Sequence, residues 1–148
     1  MLFRSDITTV DALTRTLRAA TSIAYSASAS GTYLSTELFP RLGVAEQIRG
    51  KSKRIESERV AAVVARGEAE IGFQQISELL PVPGVDFVGP LPPGAQRVTI
   101  FSAGIAARAT QPGAAKLLIE FLTSSKARPI VEKSGLEVVA AAVAPVRR

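Results

Sequence analysis

A layered α/β domain is the fold that the sequence predicts, and three observations predict it. Amphipathic helical stretches alternate with short apolar, strand-like runs from residue 8 to residue 75. Glycine, serine and proline stand between them, where helices begin and end. Of the 148 residues, 47% are hydrophobic, enough for one continuous core.

In chain order, Thr8 to Ala20 places Val10, Leu13, Leu17 and Ala20 at helical spacing behind a threonine cap, with Asp11 at the positive end. Ser22 to Ser26 is a short strand, and the small residues after it let backbone N–H groups approach a ligand. A helix is expected from Thr32 to Leu42, bent or shortened at Pro40 and ended by Gly43. Lys51 to Ile55 reads as a strand. Ser57 opens a helix through Arg66 that buries Val60, Val63 and Val64 and stops at Gly67. Ala69 to Gln75 reads as a buried strand ending in two polar amides. Val85 to Val88 and Arg97 to Ala107 are two further expected strands, separated by a proline-rich connection. Pro112 starts a helix to Leu122, and a last helix runs from Ser124 or Ser125, past Pro129, to Gly135.

Composition excludes much chemistry. There is no cysteine and no histidine, so thiolates, disulfides and imidazole bases or ligands are absent, and no metal or cofactor is expected. None of GxSxG, GxxxxGK[ST] or GxGxxG occurs. The net charge of +5 is spread along the chain, with local basic groups only at Lys51 to Arg54 and at Arg147 and Arg148, and aromatics are 5%, so no nucleic-acid partner is expected. The opening MLFRSDITTVDALTR is not an export signal, which predicts a cytoplasmic product as written, or a periplasmic one if the true start lies upstream. The apolar stretch at Val138 to Val146 falls far short of the ~20 residues of a membrane span, so no membrane insertion is expected.

Ligands of open α/β sheets sit at the carboxyl ends of strands, against helix starts with unpaired N–H groups. Two such places occur. The loop Ser26 to Thr32 offers Ser28, Ser30, Gly31 and Thr32. The second is Ser57, after KSKRI. Gln74 and Gln75 add amides at the end of a strand. Uncharged donors suit reversible binding of an oxyanion, because no buried cation must be kept paired. The plainer reading makes the serines helix caps and the glutamines a turn, with Tyr25 and Phe73 in the core.

The stretches ASASGTYLSTELFPRLGV, ERVAAVVARGEAEIGFQQISELLPVPGV, VGPLPPGAQRVTIFSAGI and AAKLLIEFLTSSKARPIVEKSGLE follow the entry helix before SIAYS. In this order they resemble the carboxyl-terminal two-thirds of a type II periplasmic binding protein of the molybdate-binding group. The resemblance covers about Asp6 to Val139. It implies a three-layer αβα lobe: one domain in which 6–102 are mainly the second lobe, 103–139 the return segment of the first, and 140–148 a tail. By position it implies an oxyanion held at Ser30 and Gly31, at Ser57, and at Gln75, where molybdate binders tend to have tyrosine. The family's signal peptide and amino-terminal lobe segment have no counterpart here, so the resemblance implies a truncated clamp whose exposed edges favour self-association.

The function expected is therefore a non-catalytic solute-binding module. Its expected partners are a small anion or other small solute, an ABC transporter permease and further copies of itself. The alternative is a cytoplasmic sensing or assembly domain acting through oligomerisation. An enzyme using Glu70, Tyr25 or a lysine is disfavoured, because no catalytic constellation is visible.

Overall fold

The computed structural model describes residues 5–139, so the tail 140–148 lies outside it. The chain forms two compact units, divided between Thr99 and Ile100. The first is an α/β unit built on a small parallel sheet of β1 (Ile23–Ser26), β2 (Ser52–Ile55) and β3 (Ile71–Phe73), in the order β2-β1-β3. Ile23 lies opposite both Ser52 and Ile71.

Strand side chains alternate between faces, and β1 supplies a core on each side. Ile23 joins Leu13, Leu17, Tyr33, Leu34, Leu38, Phe39, Val44 and Ile48 on one face. Ala24 joins Ile55, Val60, Val63 and Ala69 on the other. Helix α1 (Val10–Ala19) buries the Leu13 and Leu17 stripe that its spacing predicts. Its cap is Thr9, whose hydroxyl accepts from the N–H of Ala12 at 3.1 Å.

The helix expected over 32–42 starts three residues earlier. It runs as α2 (Ala29–Tyr33), a π-helical turn (Leu34–Leu38) and α3 (Phe39–Arg41). Pro40 has no N–H, and its ring crowds the preceding turn. The wider π turn just before it, in which Phe39 N–H donates to Leu34 O, gives the ring room. The short α4 (Ala45–Ile48) then leads towards β2.

Helix α5 (Val60–Ala65) begins three residues after Ser57, so Ser57 is an exposed bend and not the helix start expected for it. Gly67, at φ 75°, ends α5 in a left-handed turn, with its N–H donating to Val64 O at 2.9 Å and that of Glu68 to Val63 O at 3.1 Å. Strand β3 is shorter than the expected 69–75, and the short α6 (Ile76–Leu79) follows it.

The strands expected at 85–88 and 97–107 do not form among the described residues. A strand exists only where a neighbour takes its N–H and C=O groups, and no described segment pairs with either run. Val98 and Ile100 accordingly lie 77% and 68% exposed. The stretch before them is instead a strap on the first unit. Ala95 is fully buried, the Tyr33 hydroxyl donates to Ala95 O at 2.8 Å, Arg41 donates to Gly94 O at 2.8 Å, and the Arg97 guanidinium lies 5.1 Å from the Tyr33 ring centre.

The second unit holds α7 (Pro112–Leu122), over the residues expected, and α8 (Arg128–Lys133), which starts later than expected. Both carry proline in their first turn, where no N–H is missed. Neither has a buried residue.

Candidate functional site

All three strands are parallel, so their carboxyl ends form one edge of the sheet, and Ser26, Ile55 and Phe73 stand along it. Here α2 starts almost directly from β1. Gly31 makes this possible. A Cβ at that position would lie 1.6 Å from the carbonyl oxygen of Ser26, so only glycine lets the first helical turn rest on the end of the strand.

That close approach gathers three hydroxyls. Ser26 Oγ lies 2.7 Å from Ser28 Oγ and 3.1 Å from Ser30 Oγ, and Ser28 and Ser30 are 3.1 Å apart. Ser26 is buried, at 4% exposure, while Ser28 is exposed and Ser30 half-buried. Each hydroxyl has one proton and two lone pairs, so the three can satisfy one another in a ring or turn their protons outward to an acceptor. Hydrogen bonding within the helix begins at Thr32, whose N–H donates to Ser28 O at 3.0 Å. The N–H groups before it are those a helix leaves without an internal acceptor. The site therefore presents hydroxyl and backbone donors on an uncharged frame, suited to a small anion.

The structure brings Ser28, Ser30 and Gly31 together with Ser26, a residue that the reading by motif did not single out. Its signal was the alternation of serine at 26, 28 and 30. Thr32 lies inside the helix and is exposed. Gln74 is engaged elsewhere: its Oε1 accepts from the N–H of Val60 at 2.8 Å, capping α5 from the end of β3. Gln75 occupies the cap position of α6 through its backbone, and its side chain makes no cap bond. No hydrogen bond among the described residues links Ser57 or Gln75 to the serines.

Glu70 lies at the opposite, amino-terminal edge of the sheet. Its carboxylate accepts from both the hydroxyl and the N–H of Thr21, each at 2.6 Å. Those two bonds, the hydroxyl's first, hold its carboxyl below the usual range, as does Lys51 nearby. Tyr25 packs edge-on against Phe39 with ring centres 6.0 Å apart. Among the described residues no group of three acidic side chains could hold a metal ion, and no helix is long and apolar enough to cross a membrane.

Residues 4–137 match the family described as bacterial extracellular solute-binding protein. The chain is also 47% identical over 138 residues to an aconitate isomerase from Pseudomonas sp. That alignment covers 93% of this chain and 53% of the relative, so the chain spans about half the relative's length. No solved structure matches the chain. The relative is named as an enzyme, which overturns the expectation of a non-catalytic protein. The absence of histidine, cysteine and familiar motifs carried that expectation, and an isomerase needs none of these by necessity.

Proposed function

The chain belongs to the bacterial extracellular solute-binding protein family, and we propose that it takes part in the isomerisation of aconitate, with the serine loop as a carboxylate-binding site. The observation that carries the proposal is the 47% identity to an aconitate isomerase over nearly the whole chain. The geometry supports it. Aconitate is a tricarboxylate with one carbon–carbon double bond, and its carboxylates are oxyanions of the kind that hydroxyls and helix-start N–H groups accept.

Isomerisation leaves the formula unchanged, but a shift of the double bond takes a proton from one carbon and returns one at another; the serine loop's part is to hold and orient the substrate. Ser28 and Ser30 turn their protons to a carboxylate, Ser26 fixes their positions from inside the fold, and Gly31 keeps the backbone close. Donors held on a rigid frame also stabilise charge that moves onto carboxylate oxygen as the double bond shifts.

The test is calorimetric titration of the chain with aconitate and, separately, with molybdate, the anion expected from the resemblance. Proton NMR follows interconversion of the aconitate isomers in the same samples. The expected result is aconitate binding that weakens by about a hundredfold or more in the double variant Ser28→Ala, Ser30→Ala, since each of the two bonds to a charged acceptor is worth roughly 1.5–3 kcal/mol. Molybdate binding with indifference to aconitate would overturn the proposal.

A further inference from the structure

We infer that Glu78 is the catalytic acid–base residue of the isomerisation, carrying a proton between two carbons of the substrate held at the serine loop; the inference rests on the carboxylate reading given above and deepens it. Hydroxyls and backbone N–H groups donate to a carboxylate, but they do not take a proton from carbon. A shift of the double bond therefore needs a second group, a base whose conjugate acid returns the proton.

Glu78 is the carboxylate that the first unit leaves uncommitted. Its Oε2 is shut away from solvent and has no hydrogen-bond partner. Elsewhere in that unit Glu37, Glu46, Glu56, Glu58 and Glu68 each pair with an arginine, and Glu70 accepts from Thr21. Asp6, Asp11 and Asp86 are exposed. A buried carboxylate oxygen without a bond is costly. Such an atom in a native fold calls for a reason, and a role in chemistry is one.

Its position fits that role. Alternation along β1 puts Ser26 on the same face as Ala24, whose core includes Val60 and Val63 of α5. The face continues across β3, where a Cβ at Gly72 would meet Val60 and Val64 at 2.7 Å and where Gln74 caps α5. The chain then turns at Gln75 into α6, which lies against α5. Glu78 stands in the first turn of α6, with its N–H donating to Gln75 O at 2.9 Å. Helical side chains lean towards the start of their helix, which here is the carboxyl-terminal edge of the sheet. Strands β1 and β3 are paired, with Tyr25 opposite Phe73, so the serine loop follows one strand and Glu78 follows its neighbour. Donors and base thus share one edge and one face.

The step balances between the substrate and Glu78. The carboxylate takes a proton from a carbon next to the double bond. The electron pair of that C–H bond becomes part of the new double bond, and the old one opens towards its far carbon. That carbon takes the proton back from the acid form of Glu78. The serine donors hold a substrate carboxylate throughout and stabilise charge that spreads onto its oxygens.

The experiment follows aconitate with the whole chain in heavy water, proton NMR reading interconversion of the isomers and exchange of substrate protons for deuterium, and calorimetry reading affinity. The variants are Glu78→Gln, Glu78→Asp and the Ser28→Ala, Ser30→Ala pair. Glu78→Gln is expected to bind aconitate as the parent does and to slow interconversion by about a hundredfold or more, the scale of a positioned acid–base group. It is expected to unfold no more readily than the parent, because it removes a buried charge that has no partner. Glu78→Asp keeps the carboxylate on a shorter stem and is expected to keep part of the rate. The serine pair is expected to lose affinity. Interconversion by Glu78→Gln at the parent's rate, or a fall in its rate, affinity and unfolding midpoint together, overturns the role of Glu78. A parent that binds aconitate through the serines but neither converts it nor exchanges its protons overturns that role and leaves the binding site standing. A parent that binds no aconitate overturns both readings.

Discussion

The side-chain oxygen of Gln74 accepts a hydrogen bond from the backbone N–H of Val60 at 2.8 Å, so a residue at the end of β3 caps the helix that precedes that strand. Neither partner is exposed; Val60 is fully buried and Gln74 half-buried. The bond ties α5, β3 and the carboxyl-terminal edge of the sheet into one piece. Gln74→Ala should cost about 1 kcal/mol, as loss of a helix cap does. Gln74→Glu keeps an acceptor there and should cost less. Urea unfolding of the two variants measures the difference.

Gly31→Ala is expected to destabilise the chain although alanine favours helix over glycine by about 1 kcal/mol. The new Cβ would stand 1.6 Å from Ser26 O, and the strand end and helix start must separate to admit it. Overpacking of this kind costs roughly 1–3 kcal/mol and also pulls the three hydroxyls apart. Unfolding midpoint and aconitate affinity should therefore fall together. A variant that is more stable than the parent would contradict the close approach.

Acid should remove part of the stability through Glu70. The bonds from Thr21 lower its pKa in the folded chain, so the folded state binds the proton less readily than the unfolded one. The contribution is complete above the unfolded value, about 4.3, and is lost as pH falls through the lower folded value. Glu70→Gln should be less stable than the parent near neutrality, and the gap should close in acid. Asp6, Glu58 and Glu68 are lowered in the same sense, by Thr8 for the first and Arg66 for the other two, so the variant keeps some acid sensitivity. Thermal melts across pH 2 to 7 on the two proteins give the comparison.

The apolar side of α7 should make the isolated chain sticky. Leu117, Leu118, Phe121 and Leu122 are all exposed, although their spacing is that of a helix face built for burial. Light scattering is expected to show association that increases with protein concentration, and a hydrophobic dye should bind. Leu117→Lys with Phe121→Lys should lower both signals while circular dichroism retains the helix. A monodisperse monomer that ignores the dye would contradict the expectation of self-association.

Local signals in the sequence marked α1, β1 and α7 well, because Thr9, the leucine spacing of α1 and Pro112 act within a turn or two of themselves. The end of α5 was legible for the same reason, since Gly67 supplies a positive φ that any neighbour would otherwise resist. Its start was not. Ser57 has the chemistry of a cap, but the capping oxygen comes from Gln74, 14 residues beyond Val60, and only the packed sheet brings it there. The π turn at Leu34–Leu38 is likewise a response to Pro40 that residue type alone does not announce. The runs RVTIFSAGI and VDFV alternate like strands, yet alternation describes a surface ready to pair and says nothing about the partner. In the candidate site, Ser28, Ser30 and Gly31 were visible as donors, whereas Ser26 joins them through the close approach of α2 to the end of β1.

Ser26 closes the central strand of the sheet, and that position has a consequence for motion. The amides of β1 are flanked by paired strands on both sides, and Ile23 and Ala24 are fully buried, so these protons should exchange with solvent only when the first unit opens as a whole. The innermost hydroxyl of the site is thus mounted on backbone expected to exchange slowly. Motion of the exposed Ser28 would leave the buried Ser26 in place as the fixed point of the three oxygens.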